Sequence, residues 1–423
     1  MSGQLHPRYL KKKVQIALSD TPVVCLLGAR QCGKTTLAQQ LDGYRTYLNF
    51  DDNALLTAAR QDPTGFVQGL PEKVILDEIQ RIPELMPAIK ASVDRQRTPG
   101  RFLLTGSANL LLLPRVQESL AGRVEILNLH PLTEQEKQHN SDSFLARLLS
   151  EPLSARIIGE QTAISGVAEA VCSGGYPEPN TRTEVRARQW HQQYLKAIIQ
   201  RDVKDVAAIR DEDEMLRIAQ ILAYRTATLL NVSSLSNELD ISRETADKYL
   251  SVLERLFLVQ RLPAWHRNQA KRLIKSPKIH WVDSGLATTL NGFKTADWLD
   301  YKVNFGALLE SFVVQQLIAQ AGWLEDEIRF SHYRDKGQFE VDLVIEQGRK
   351  VWGVEVKKAA SIQGKDGAGL AQLAAQSGDD FQGGVLFYCG NNCLPLAQKN
   401  CFAVPIDWLW RSPDHSAQRI SLA

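Results

Sequence analysis

The sequence predicts an α/β protein built from more than one domain, and three observations carry that expectation. Short β-type apolar runs alternate with helical patterns over the first third of the chain, as in a parallel sheet covered by helices. The run Gly28-Ala29-Arg30-Gln31-Cys32-Gly33-Lys34-Thr35 stands between an apolar strand and a helix, which is the order of a phosphate-binding loop. From about Tyr301 a long helix, a strand pair, a helix and more strands make a second α/β stretch.

Length and composition bound the rest. A chain of 423 residues has room for about three domains. With 44% hydrophobic and 23% charged residues it reads as an ordinary globular protein, not a disordered one. Val23–Ala29 and Leu110–Leu113 are the longest apolar runs noted, far short of the ~20 residues of a spanning helix, so no membrane partner is expected. Lys11–Lys13 lead into a segment broken by Gln15, Ser19 and Asp20, and no secretory signal is read there. Six scattered cysteines read as reduced thiols, and the expected setting is cytoplasmic. A net charge of +2 says nothing about partners, so any nucleic-acid site must be a local basic patch.

In order along the chain, Val23–Leu27 reads as a buried strand and Thr35–Leu41 as a helix. Tyr47–Phe50, Val74–Leu76, Phe102–Leu104 and Val124–Leu127 are further strands. The polar stretch Glu134–Pro152 reads as a loop or domain edge. Residues 161–225 are helical in pattern, interrupted by the turn Ser173-Gly174-Gly175-Tyr176-Pro177. Residues 226–262 give a helix–turn–helix pattern with a following strand.

The chemistry begins at the glycine-rich loop. Glycines let backbone N–H groups from Gly28 to Thr35 converge on phosphates, and the helix N-terminus, with Thr36 in its first turn, adds positive potential. Lys34 is placed for the β- and γ-phosphates of ATP, and the Thr35 hydroxyl for Mg2+. Val74–Leu76 ends in Asp77 and Glu78, the first suited to hold the magnesium and the second to polarise an attacking water. Phe102–Leu104 runs into Thr105-Gly106-Ser107, where the Ser107 hydroxyl would sense the γ-phosphate. Arg123, after the turn at Gly122, reads either as a finger reaching a neighbouring subunit's nucleotide or as a surface ion pair.

On these residues, 20–132 resembles an AAA-type ATPase, with Gly28–Thr35 as Walker A, Asp77-Glu78 as Walker B and Thr105–Ser107 near sensor 1. Leu120–Arg123, Leu129-His130-Pro131-Leu132 and Tyr194–Asp202 with its Arg201-Asp202 pair resemble a prokaryotic AAA group often fused to a restriction-endonuclease-like domain. That resemblance implies ATP and Mg2+ as cofactors and a ring-like homo-oligomer.

In the helix–turn–helix segment, Ser234–Leu239 and Arg243–Phe257 are the helices, with Ser242 as N-cap. Ala246, Tyr249, Leu250, Leu253, Leu256 and Phe257 form one apolar face. With the strand Leu258–Leu262 this outlines a winged helix. The longer helix is mixed in charge, whereas Arg261, Arg267, Lys271, Arg272, Lys275 and Lys278 follow without an acid, next to Trp265 and His266. Such a run is read either as a DNA-phosphate track or as a solvated basic loop on a structural module.

The last stretch pairs Phe339–Ile345 with Val351–Lys357 across a turn at Gln347-Gly348-Arg349. Period-2 geometry puts Glu355 and Lys357 on one face, where Asp342 meets Glu355 and the two share a divalent cation. Lys357 would act on the water or the phosphate, and Glu310, on the helix Phe305–Gln320, would complete the acidic cluster. This set resembles the PD-(D/E)xK nucleases, with Gln372 where several of them place a further polar residue, and with Val341 in place of their proline. The resemblance implies Mg2+ or Mn2+ at Glu310, Asp342 and Glu355.

The expected organisation is an ATPase domain (1–160), a helical lid region (161–225), a winged-helix-like domain (226–290) and a nuclease-like α/β domain (291–423). The expected function is an Mg2+-dependent ATPase coupled to DNA binding or processing. The alternatives are an ATP-driven platform with an inactive nuclease-like domain, or a nucleotide-gated signalling or defence switch.

Overall fold

A computed structural model of the chain describes residues 5–41, 44–107, 121–157, 164–206, 211–268, 272, 275–300, 305–411 and 418–419. Helix α1 (Leu10–Asp20) precedes a five-stranded sheet of β1 (Val23–Leu27), β2 (Thr46–Asn49), β3 (Val74–Asp77), β4 (Phe102–Gly106) and β5 (Val124–Asn128). The strand order is β2-β3-β4-β1-β5 and every pairing is parallel. Strand β1 is apolar without alternation because both its faces are covered. Val24 and Leu26 enter the largest core, while Val23, Cys25 and Leu27 enter a second one. Chain order reverses beside β1, so the glycine-rich loop that leads into α2 (Lys34–Gln39) opens at a topological switch point.

The polar stretch Glu134–Pro152 is not a loop. It folds into helices at Glu134–Lys137 and Phe144–Ser150, and Gln135 and Glu136 are buried. Two of its backbone N–H groups are satisfied by a distant helix, α10 (Phe305–Ala321, numbered below), while the buried Gln135 amide has no hydrogen-bond partner among the described residues. Gln316 accepts from the Glu134 N–H at 2.9 Å, and Gln320 accepts from the Leu145 N–H at 2.9 Å. Burial of a polar segment is tolerated when its groups are paired, and those partners lie more than 170 residues away.

Helices α4 (Ile164–Ser173), α5 (Glu184–Val206) and α6 (Glu212–Tyr224) make the helical middle, α3 being Leu85–Arg95. A short strand β6 (Thr228–Leu229) precedes α7 (Val232–Leu239) and α8 (Arg243–Arg255). Ser242 caps α8 by accepting the Thr245 N–H at 3.0 Å, and the helix stops two residues before the expected Phe257, which takes a left-handed φ of 57°. Strands β7 (Val259–Leu262) and β8 (Lys278–Trp281) then pair antiparallel, with β8 central in the order β6-β8-β7. Helix α9 (Ser284–Leu290) follows. Its cap Asp283 also accepts the Gly175 N–H at 2.6 Å, which ties α9 to the turn after α4.

Helix α10 leads into the C-terminal mixed sheet. Its strands are β9 (Ile328–Arg334), β10 (Glu340–Gln347), β11 (Lys350–Lys357), β12 (Phe381–Tyr388), β13 (Leu394–Pro395) and β14 (Cys401–Pro405), with α11 (Ala368–Ser377) before β12. Strands β9, β10 and β11 are antiparallel neighbours, and β11, β12 and β14 run parallel. One buried cluster runs from Leu10 to Trp410, so these parts share a core. None of the six cysteines is in a disulfide. Among the described residues no helix is long and apolar enough to cross a membrane.

Candidate functional site

The loop between β1 and α2 is built by close approach. A Cβ on Gly28 would meet the Leu129 carbonyl oxygen at 2.2 Å, and Gly33 has φ +102°, so both positions need glycine. From outside the loop, Arg8 donates to the Cys32 and His130 carbonyls at 2.6 Å each and pairs with Glu136 at 3.1 Å. Tyr194 of α5 donates its hydroxyl to the Arg30 carbonyl at 2.9 Å and stacks on Trp190 with ring centroids 4.7 Å apart. The loop therefore has rigid supports on two sides. Its lysine, Lys34, is buried and donates to the Gly28 and Ala29 carbonyls at 3.0 and 2.8 Å. Both acceptors are neutral, so a phosphate can displace them.

Asp77 and Glu78 stand at the C-terminal end of β3, with the end of β4 between them and the loop. One Asp77 oxygen accepts from the Thr35 hydroxyl at 2.9 Å and from the Tyr47 hydroxyl at 2.5 Å. The other accepts from Thr105. Burial, then the bond to Asp77, raises the Tyr47 phenol above its ordinary range, so Tyr47 stays a donor. Glu78 has a left-handed φ of 57°, a conformation that non-glycine residues adopt mainly under constraint. Its carboxylate accepts from Gln80 and from the Ser107 hydroxyl, the latter at 3.2 Å, and Gln80 also donates to Ser107 at 3.0 Å. Thr35 and Asp77 are thus already adjacent, as two ligands of one magnesium must be, and the residues fit a Mg2+–ATP site.

Sequence reading missed Arg8, Tyr47, Gln80 and the role of Tyr194. Tyr194 was flagged only as the start of the Tyr194–Asp202 motif, and Tyr47 only as a polar-tipped residue opening the strand that pairs with β3. Arg123 is in an ion pair with Asp94 at 2.5 Å, the second of its two readings. Arg201 pairs with Asp51 at 3.0 Å. Leu120, Lys271 and the Asp202 side chain lie outside the described residues.

The C-terminal carboxylates converge in part. Glu310 of α10 and Asp342 of β10 meet, but between them stands the Lys278 ammonium, at 2.7 Å from Glu310 and 3.3 Å from Asp342. Glu340, two residues before Asp342 on the same strand face, joins at 2.7 Å. Glu355 is turned to α11 and accepts the Leu370 N–H at 3.1 Å, and Asp342 accepts the Val356 N–H at 2.9 Å. Burial, then Asp342, pushes the Glu355 carboxyl up to about 7. Burial and Asp342 also raise Glu310, against the pull of Lys278. Lys357 is exposed. Among the described residues no group of three histidines, cysteines or carboxylates is arranged to hold a metal ion. The expected metal set of Glu310, Asp342 and Glu355 does not fit a cation in this arrangement. Lys278 occupies the first two, and Glu355 is spent on a helix end.

The basic run is corrected likewise. Lys278 is buried, Arg272 grips Glu346 with two bonds of 2.6 and 2.9 Å, and Arg261 pairs with Glu254 at 3.2 Å. Arg267 and Lys275 are exposed. Lys275 faces a groove of about 700 Å3 beside β9, together with His266, His332, Arg334 and Lys336.

Residues 20–137 match a family described as AAA domain. Residues 164–297 match a domain of unknown function (DUF8612), and residues 305–409 a second one (DUF4143). An uncharacterized protein of Mycobacterium tuberculosis is 31% identical over 399 residues, covering 93% of this chain and 82% of its own length. One of Mycobacterium bovis matches equally. An uncharacterized protein of Haemophilus influenzae is 25% identical over 339 residues, 73% of this chain and 77% of its own. Among solved structures, the Walker-type ATPase paby2304 of Pyrococcus abyssi is 14% identical, with 68% of this chain and 96% of that chain covered and a TM-score of 0.43.

Proposed function

The chain belongs to the family of these mycobacterial proteins, an AAA domain followed by two domains of unknown function, and on that premise we propose that it is an Mg2+-dependent ATPase whose nucleotide state governs DNA binding by its C-terminal half. The observation that carries the first half is the convergence of Lys34, Thr35, Asp77 and Glu78 at the C-terminal ends of β1 and β3, the two parallel strands that flank β4. Backbone N–H groups of Ala29–Thr35 and the Lys34 ammonium would hold the ATP phosphates, while Thr35 and Asp77 would hold Mg2+. The ion supplies charge neutralisation on the phosphate oxygens. Glu78 would orient water once it leaves Gln80 and Ser107, and Ser107 would turn to the γ-phosphate. A ring-like homo-oligomer is the form we propose, with Arg123 leaving Asp94 to reach a neighbour's nucleotide. ATP turnover by purified protein, lost in Glu78→Gln with binding kept, is the test. Wild-type turnover in that variant sinks the assignment.

For the second half, β6, α7, α8, β7 and β8 are read as a winged helix and the last 133 residues as nuclease-like. The groove lined by Lys275, Arg334 and Lys336, whose three cations outnumber the single acid Asp335, supports DNA contact beside them. Binding is favoured over cleavage because Glu310 and Asp342 are paired with Lys278. Alanine at Lys275, Arg334 and Lys336 should weaken binding of labelled DNA and reduce its salt dependence. Unchanged affinity and salt slope would remove the groove from the reading.

A further inference from the structure

Lys278 opens β8, in the region before α10, yet its side chain ends among three carboxylates of the C-terminal half. Only 3% of that side chain is exposed. An ammonium has three N–H donors, and here three acceptors are supplied: Glu310 at 2.7 Å, Glu340 at 2.7 Å and Asp342 at 3.3 Å. Glu310 and Asp342 accept hydrogen bonds, and Glu340 adds an ion-pair contact. Unlike Lys34, whose partners are neutral carbonyls, Lys278 has only anionic ones.

The strand that carries Lys278 cannot easily shift. Lys278 pairs with Leu229 on one side and Leu262 on the other, and all four residues of β8 are buried. His280, on the same strand face, bonds through Nδ1 to the Ser311 hydroxyl of α10 at 2.8 Å, one residue from Glu310. Beside it, the His332 N–H donates to the Pro263 carbonyl at 2.8 Å and the Trp265 N–H to the His332 carbonyl at 2.5 Å, which continues β7 onto the edge of β9. The doubly bonded Arg272–Glu346 pair closes the same seam.

Electrostatics sharpens the point. Burial would lower the Lys278 ammonium, but Glu310, Asp342 and Glu340 outweigh it and hold it charged. Burial and Lys278 press His280 down to about 3, and burial holds His332 at about 4, so both facing imidazoles stay neutral. A divalent ion on Glu310 and Asp342 would share the carboxylates that Lys278 already uses, one oxygen of each, and would sit against a fixed positive charge. At such separations in a poorly solvated site, like charges repel strongly.

We propose that Lys278 is the resident counter-cation of the Glu310–Glu340–Asp342 cluster, standing where a divalent ion would stand and locking the helix–turn–helix sheet to the C-terminal sheet. A metal enters only if this ammonium is withdrawn.

The full chain without nucleotide is titrated with Mn2+, followed by electron paramagnetic resonance of the free ion and by melting temperature. Wild type and Asp342→Asn should bind Mn2+ alike, because the cluster contributes no site. Lys278→Met should melt several degrees lower, gain one bound Mn2+ and recover its melting temperature in Mn2+. Adding Asp342→Asn to Lys278→Met should abolish that gain. Lys278→Arg should exclude the ion as wild type does. A Mn2+ site in wild type that disappears in Asp342→Asn overturns the proposal, even if Lys278→Met does not fold. So does a folded Lys278→Met protein that gains no Mn2+.

Discussion

Two places in this molecule set a buried lysine beside strand-borne carboxylates, and they are prepared for opposite ends. At the nucleotide loop, Lys34 rests on two backbone carbonyls while Asp77 is held by hydroxyls of Thr35, Tyr47 and Thr105. Cation and anion there are kept apart, and both remain available to a ligand. In the C-terminal half, Lys278 sits directly on Glu310, Glu340 and Asp342, and cation and anion consume each other. The same residue types therefore give a receptive site or a closed one, according to whether the lysine's acceptors are neutral or charged.

The contrast is broken most severely at the receptive site. Lys34→Ala should abolish ATP binding in a nucleotide-binding titration. Glu78→Gln should keep binding and lower single-turnover hydrolysis by ~10²–10⁴-fold, the range for a positioned proton-transfer group.

Next in size is the closed site. Lys278→Met leaves three carboxylates without their cation, and removing one partner of a buried pair costs ~3–5 kcal/mol. Urea unfolding should show that loss, whereas Lys34→Ala, which strips only neutral acceptors, should cost much less. Equal losses would dissolve the distinction.

A third test uses pH. Glu355 is pushed up to about 7 from an ordinary 4.5 by burial and by Asp342. The folded protein therefore holds a proton that the unfolded chain has released. Its contribution is fully present below pH 4.5 and is lost as pH rises toward 7, by about 3 kcal/mol at most. Glu355→Gln, which cannot ionise, should flatten the decline between these values in urea unfolding at stepped pH. An unchanged slope would show that Glu355 is already ionised in the folded state.

The smallest effect belongs to the exposed pair of Arg123 with Asp94. Arg123→Ala should leave thermal stability within measurement error, since exposed ion pairs contribute little. Its ATP turnover should fall with nucleotide affinity kept, and mixing with Lys34→Ala subunits should restore part of it if Arg123 acts between subunits.

Much of the geometry around the glycine-rich loop was legible because its parts are local. Gly28–Thr35 are contiguous, and Asp77, Glu78 and Ser107 stand where apolar runs end. The α8 cap at Ser242 was legible for the same reason. The polar stretch after Glu134 reads as a loop in sequence, since no local pattern reveals that Gln316 and Gln320 accept from its backbone. Glu340 could have been found from its period-2 relation to Asp342. The fate of the basic run could not, because Arg272 and Lys278 pair with acids dozens of residues later.

By itself, then, the sequence determined the glycine-rich strand–loop–helix, the carboxylates beside it and the alternation that builds a parallel sheet. Each is set by neighbours in the chain, through glycine's backbone freedom, helix-end capping and the two-residue period of a strand. Only the tertiary structure decided what the C-terminal acids do. Glu310 and Asp342 lie 32 and 64 residues from Lys278, and a charge's partner in a folded chain is fixed by which strands and helices pack together, which no local spacing encodes.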